Sequence, residues 1–300
     1  MRRGEDPELG KMKGRLDRQL LKARAELLDF LFSEGEPGAA LSRLNADYCY
    51  KMRSGSFQLG LVKIDGEYDV LYPDALLDLR TRCAELLRDK MVPLCYDFEV
   101  FFEQSTGKML LNYPGGNRGP LRSALEEVLE TMEIRGRFYR GTEFTIALGG
   151  EKDTPEGLPQ SARLAKDTLA QRIYGQAGTL MDPLDVAIHS SLNSRMLALA
   201  VPKLKKALQQ KDMQAVKETV DELEKEAVHT PELTGNDLTF LAGEMYRFAL
   251  FYAVPSESDP SVTQALNESY EERANLCSNH TCLFRKLKAG IVELVAEEVG

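Results

Sequence analysis

Asp65 closes a run of strand-forming residues, FQLGLVKID at 57–65. A carboxylate at a strand end is one place where a divalent ion bridging a triphosphate can be gripped. Magnesium takes hard oxygen ligands in near-octahedral geometry, so Asp65 would need a second carboxylate and a glycine-lined backbone that lets phosphate approach. The hairpin that would supply both reads Glu103-Gln104-Ser105-Thr106-Gly107-Lys108. It has no glycine pair and carries a lysine, and its one acid, Glu103, belongs to the outer face of an alternating strand. Asp65 is therefore read first as a strand-end residue and only second as a ligand-binding one. No metal, cofactor or catalytic residue is expected.

The loop YPGGNRG at 113–119 offers a different chemistry. Gly115 and Gly116 precede a helix, and free N–H groups at a helix start attract anions. Arg118 and Arg122 lie four apart on one face of that helix. With Arg135, Arg137 and Arg140 they form the densest positive patch, an anion site or a solvated face balanced by Glu126, Glu127, Glu130 and Glu133. The phosphate-loop spacing G-x-x-x-x-G-K-[ST] is absent, and a strand-to-helix connection is the plainer reading. His189, His229 and His280 have no partner at a telling spacing, and adjacency of His189 to Ser190 and Ser191 does not align a triad. Cys277, His280 and Cys282 make C-x2-H-x-C, half of a zinc site without a second ligand pair. A turn between helices, capped by Asn279 or Thr281, accounts for it better.

The elements that position these residues follow from pattern. Strands are expected at 57–65 and 143–150, a hairpin over 95–114 turning at Ser105–Lys108, and a short strand at 178–183. In the hairpin, Phe98, Val100 and Phe102 alternate with Asp97, Glu99 and Glu103, which gives one buried and one wet face. Helices are expected at 74–90 (opened by Pro73), 119–133 and 158–174, the last with Ser161 near its start. The order β-α-β-β-α-β-α-β is that of a nucleotide-cyclase palm. Before it, residues 8–32 form a helix in which Leu16, Leu20, Ala23, Leu27 and Phe30 step by heptad spacing. That stripe is either a dimer seam, through Leu16, Leu20 and Leu27, or a face packed on its own domain. The segment SEGEPG (33–38) ends it. From 184 the pattern is helical: 185–209, 212–228 (N-capped by Asp212), 235–253, 260–276 and 281–298, with Pro231, Pro255 and Pro260 at connections. The domain organisation is thus a linking helix at 1–40, an α+β domain at 45–183 and a helical segment at 184–300.

Composition narrows the partners. The 300 residues carry 47 acidic and 38 basic side chains, a net charge of −9, so no global attraction to DNA or anionic lipid is expected. No run approaches the ~18 apolar residues of a membrane span. The charged start has no apolar leader, and five irregularly spaced cysteines suit reduced thiols. A cytoplasmic, membrane-free protein is expected.

Three segments, LLNYP at 110–114, FTIALGG at 144–150 and LPQSARLAKDTLAQRIYG at 158–175, resemble the degenerate GGDEF-like domain of YesN-type response regulators of the AraC class. That family runs from a strand ending I-G-x-G into L-x-x-S-x-x-x-A-x-x-A-L-x-x-R. Leu158, Ser161, Ala165, Leu169 and Arg172 match in order, while Ala147 and Thr168 stand where Gly and Ala are common. The resemblance implies a linking helix, a GGDEF-like palm and a helical segment. It implies a non-catalytic signal-transmission and dimerisation module of a bacterial two-component transcriptional regulator. Neither a receiver nor a helix-turn-helix pair is recognisable here, so DNA would be reached only indirectly. The alternative is a nucleotide-binding or residual nucleotidyl-cyclase-like enzyme using Asp65, Gly115, Gly116, Arg118 and Arg122.

Overall fold

The computed structural model describes residues 7–33, 40–67, 74–139, 141–185, 195–230, 233–254 and 259–297, without the side chains of 7–15 and 296–297. Pro73, Arg140, the 34–39 break, His189 with Ser190 and Ser191, Pro231 and Pro255 lie outside them.

The architecture is α+β. One mixed sheet holds β1 (Ser56–Asp65), β2 (Asp97–Glu103), β3 (Thr106–Tyr113), β4 (Glu143–Leu148) and β5 (Leu180–Met181), in the order β2-β3-β1-β4-β5. β5 runs parallel to β4, and the other pairs are antiparallel. The ten helices among the described residues are α1 (Pro7–Phe32), α2 (Leu41–Tyr48), α3 (Asp74–Met91), α4 (Arg118–Gly136), α5 (Leu158–Ala170), α6 (Arg195–Gln209), α7 (Met213–Val228), α8 (Gly235–Ala253), α9 (Pro260–Asn275) and α10 (His280–Glu297). None is long and apolar enough to cross a membrane.

β1 is the central strand, and its pleat sorts side chains to two covered faces. Val62 and Ile64 meet α3 and α4, through Leu79, Cys83, Leu87, Leu121, Leu125 and Val128. Phe57, Leu59 and Leu61 meet α5 and the end of α1, through Leu158, Ala162, Ala165, Leu28 and Leu31. A separate core fills the helical segment, where Tyr246 and Tyr270 stack with centroids 4.0 Å apart.

Three expectations need correction. The hairpin turns at Gln104–Ser105, not at Ser105–Lys108, and Gln104 takes φ +47°. Gly107 is a strand residue opposite Phe102, whose ring would lie 2.8 Å from any added Cβ. The expected wet face of β2 is covered in its middle, where Glu99 is buried and paired with Arg24 of α1 at 2.9 Å, while Glu103 at its end stays exposed. The α1 stripe, finally, is not wholly a free seam. Leu27, Leu28, Leu31 and Phe32 are buried on the protein's own sheet, whereas Leu16 and Phe30 stay exposed. Arg24 fixes this docking further, donating to the carbonyls of Tyr48 and Cys49, and Lys108 holds Asp29 at 2.6 Å.

Candidate functional site

Asp65 sits where the strand pattern put it, at the end of β1, but with no exposed surface. Arg172, in the 3-10 turn Gln171–Tyr174 after α5, grips it with both arms. Nε lies 2.9 Å from Oδ2 and Nη2 lies 3.1 Å from Oδ1. A carboxylate held by a bidentate guanidinium is electrostatically satisfied, so a cation there would have to displace a buried partner. Glu103 is exposed and bound to Lys108 at 2.9 Å. Each acid is thus paired with a cation of the protein itself, Asp65 with Arg172 and Glu103 with Lys108. Among the described residues no group of three or more His, Cys, Asp or Glu side chains is arranged to hold a metal.

The pair also joins two bodies. Arg172 Nη2 reaches the carbonyls of Asn275 and Cys277, each at 3.4 Å, in the turn between α9 and α10. Gly66 N–H donates to Leu276 O at 3.0 Å, and the Leu276 side chain enters the core under β1. Glu67, two residues past Asp65, binds Arg285 at 2.9 Å and Lys286 at 3.1 Å, and these pairs hold its carboxyl below the usual range. In the other direction, Ile173 packs in the helical core and Tyr174 donates to Leu233 O at 2.9 Å. Beside Asp65 on the same face, Lys63 is buried and donates to Ser105 Oγ at 2.6 Å. Burial lowers its ammonium to about 8, with Asp65 opposing.

The matched motif residues work in this frame. Leu158, Ala165 and Leu169 are core. Ser161 does not cap its helix. It accepts the Leu59 N–H at 2.9 Å and so clamps α5 to β1. Gly149 is a point of close approach to α5, since an added Cβ would sit 2.0 Å from Ser161 O.

Arg118 and Arg122 come together, as their spacing predicts, but their anion is internal. Asp182, just past β5 and almost wholly buried, accepts from Arg118 at 3.0 Å and from Arg122 at 2.8 Å. Glu151 and Asp185 complete the pairing. Gly115 and Gly116 form a 3-10 turn with Asn117, and Asn117 is tied to Leu94 O at 2.9 Å. An added Cβ at Gly116 would meet no protein atom within 4 Å. Arg137 pairs with Glu133 as a solvated helix face would.

His229 bonds the Lys225 carbonyl at 2.7 Å and His280 turns to Glu224 at 3.0 Å. Asn279 is the cap of α10, accepting the Cys282 N–H at 2.8 Å. Reading the sequence missed Arg172 as the partner of Asp65, which stands 107 residues away and left no local signal. No family model matches this chain, and no curated protein matches it.

Proposed function

We propose that the chain is a non-catalytic signal-transmission and dimerisation module of a bacterial transcriptional regulator of the two-component, AraC type, built on a degenerate GGDEF-like palm. The likeness rests on the residues quoted from 110–175. The reading is carried by one observation: the strand-end carboxylate is committed to Arg172, and Arg172 is committed in turn to the α9–α10 turn. A residue placed for catalytic metal serves instead as the joint between sheet and helices. Around that ion pair the joint adds the Glu67 pairs with Arg285 and Lys286, the Tyr174 bond to Leu233 O and the inserted Leu276, discrete contacts of the kind that two-arrangement elements exchange. The exposed Leu16 and Phe30 on α1, with Leu20 half-buried at the edge of the same stripe, supply apolar surface for a second copy.

Calorimetry with GTP, ATP and cyclic dinucleotides in magnesium tests the catalytic alternative. No binding heat is expected from any of them. Heat that disappears in both Asp65→Asn and Glu103→Gln would replace the relay with a nucleotide site. The second variant alters an exposed side chain and guards against a folding artefact in the first.

A further inference from the structure

Between the end of α4 and the outer edge of β4 lies a cleft of about 500 Å³, lined in part by Leu129, Gly136, Thr142, Phe144 and Gly178. Strand register singles out one residue of that edge. On β1, the Ile64 N–H donates to Ser105 O at 2.9 Å, so Ile64 bonds towards β3. Its partner on β4 is Phe144, whose N–H and C=O therefore point away from β1, to the outer edge. Ile146, two residues on, has the same direction and donates to Thr179 O at 3.1 Å. β5 begins only at Leu180, and the Gly178 N–H turns aside to Thr145 Oγ1 at 3.0 Å. Phe144 thus keeps an N–H and a C=O without a partner among the described residues, in a residue only 3% exposed. The hydroxyl of Thr142, on the same lining, is buried and has no partner either. Buried backbone groups are rarely left in this state.

We propose that this cleft binds a small planar heterocycle with a lactam or amidine edge, which pairs with both backbone groups of Phe144.

An extended residue holds its N–H and C=O side by side. Their complement is an acceptor and a donor on neighbouring atoms, the edge of a lactam, an amidine or a nucleobase. A peptide strand carries the same pair, but strand addition uses alternate residues along an edge. Here the alternate residues are spent, because the Thr142 N–H donates to Tyr139 O at 3.2 Å and the Ile146 N–H to Thr179 O. One free residue serves a compact ring, and the volume suits a small-molecule site, typically ~300–1,000 Å³. Gly136 keeps the cleft narrow, since an added Cβ would stand 3.1 Å from Thr142 O and 3.2 Å from the Phe144 ring.

Charge at the cleft selects against phosphate. It sits at the C-terminal end of α4, the negative end of the helix dipole. Glu143 adds an exposed carboxylate, and Arg137 is already paired with Glu133 at 3.1 Å. A neutral or protonated ring fits, and a nucleoside triphosphate does not. The site does not depend on the relay reading.

The test uses the full chain labelled with 15N-phenylalanine, the Phe144 amide being assigned by its loss in Phe144→Leu. The probe is quinolin-2-one, a flat ring with a single lactam edge. It should shift the Phe144 amide downfield and saturate with a Kd below about 1 mM. N-methylquinolin-2-one lacks the donor and should bind at least about tenfold more weakly. Ala177→Trp places a large ring in the lining and should abolish the shift, while the other phenylalanine amides keep their positions and report an intact fold. An unmoved Phe144 amide, equal affinity for the methylated ring, or undiminished binding to Ala177→Trp overturns the proposal. So does an acetylated tripeptide amide that moves the Phe144 amide at the same concentrations, which would make the cleft a strand-docking edge instead.

Discussion

Lys63 and Asp65 stand two apart on one face of β1, and each has an unusual setting. Burial drops the Lys63 ammonium to about 8 from an ordinary 10.5. Between those values the unfolded chain holds a proton that the folded chain has released, so the lysine contribution to stability rises with pH across that window. The measurement is the urea midpoint of wild type against Lys63→Met from pH 7 to 10.5. Wild type should gain on the variant as pH climbs, and a flat difference would refute the assignment. At this scale the sequence was only half legible. The strand pattern put Asp65 at the end of β1, but its partner is 107 residues away in sequence. A pairing made only by folding leaves no local periodicity to read. Arg172 was visible as a motif residue and Asp182 only as part of the expected strand at 178–183. Neither declared that it would answer a charge on another element.

Elements were far more legible, because helix and strand periods are local. α8 runs from Gly235 to Ala253 as its apolar pattern indicates, and Asp212 caps α7 by accepting the Gln214 and Ala215 N–H groups. The hairpin turn was misplaced because Gly107 reads as a turn residue, whereas it is a strand residue that makes room for the Phe102 ring. Glycines at other seams are just as demanding. An added Cβ at Gly149 would stand 2.0 Å from Ser161 O, and one at Gly235 would stand 1.8 Å from Ala170 O. Gly149→Ala and Gly235→Ala should each cost at least about 1–3 kcal/mol, as overpacking does. Gly116→Ala, in open space, should be neutral or stabilising by about 0.4–1 kcal/mol. Urea denaturation of the three variants checks this ranking, and equal losses at all three would contradict the close approaches.

The whole molecule was the least legible scale. A single apolar stripe on α1 serves two surfaces, since the sheet takes Leu27, Leu28, Leu31 and Phe32 and leaves Leu16 and Phe30 outside. Heptad spacing alone does not say which share goes where. The proposed dimer therefore depends on Leu16 and Leu20, while Leu27 belongs to the core. Sedimentation velocity of Leu16→Glu combined with Leu20→Glu should show loss of dimer with an unchanged melting temperature. Leu27→Ala should instead lower stability by about 2–5 kcal/mol, as core truncation does. A double variant that keeps the mass of wild type would remove α1 as the pairing surface.

The bond from Gly66 to Leu276 spans most of the chain. On a ribosome adding ~5–20 residues per second, the strand that ends at Asp65 emerges roughly 10–40 s before the leucine that seals it. In the later half of that interval Arg172 and Asp65 can already have met, yet the apolar pocket beneath them stays open to water. The nascent protein thus passes through a half-roofed state in which the sheet is complete but unsealed, and that is the moment at which a chaperone has most to protect.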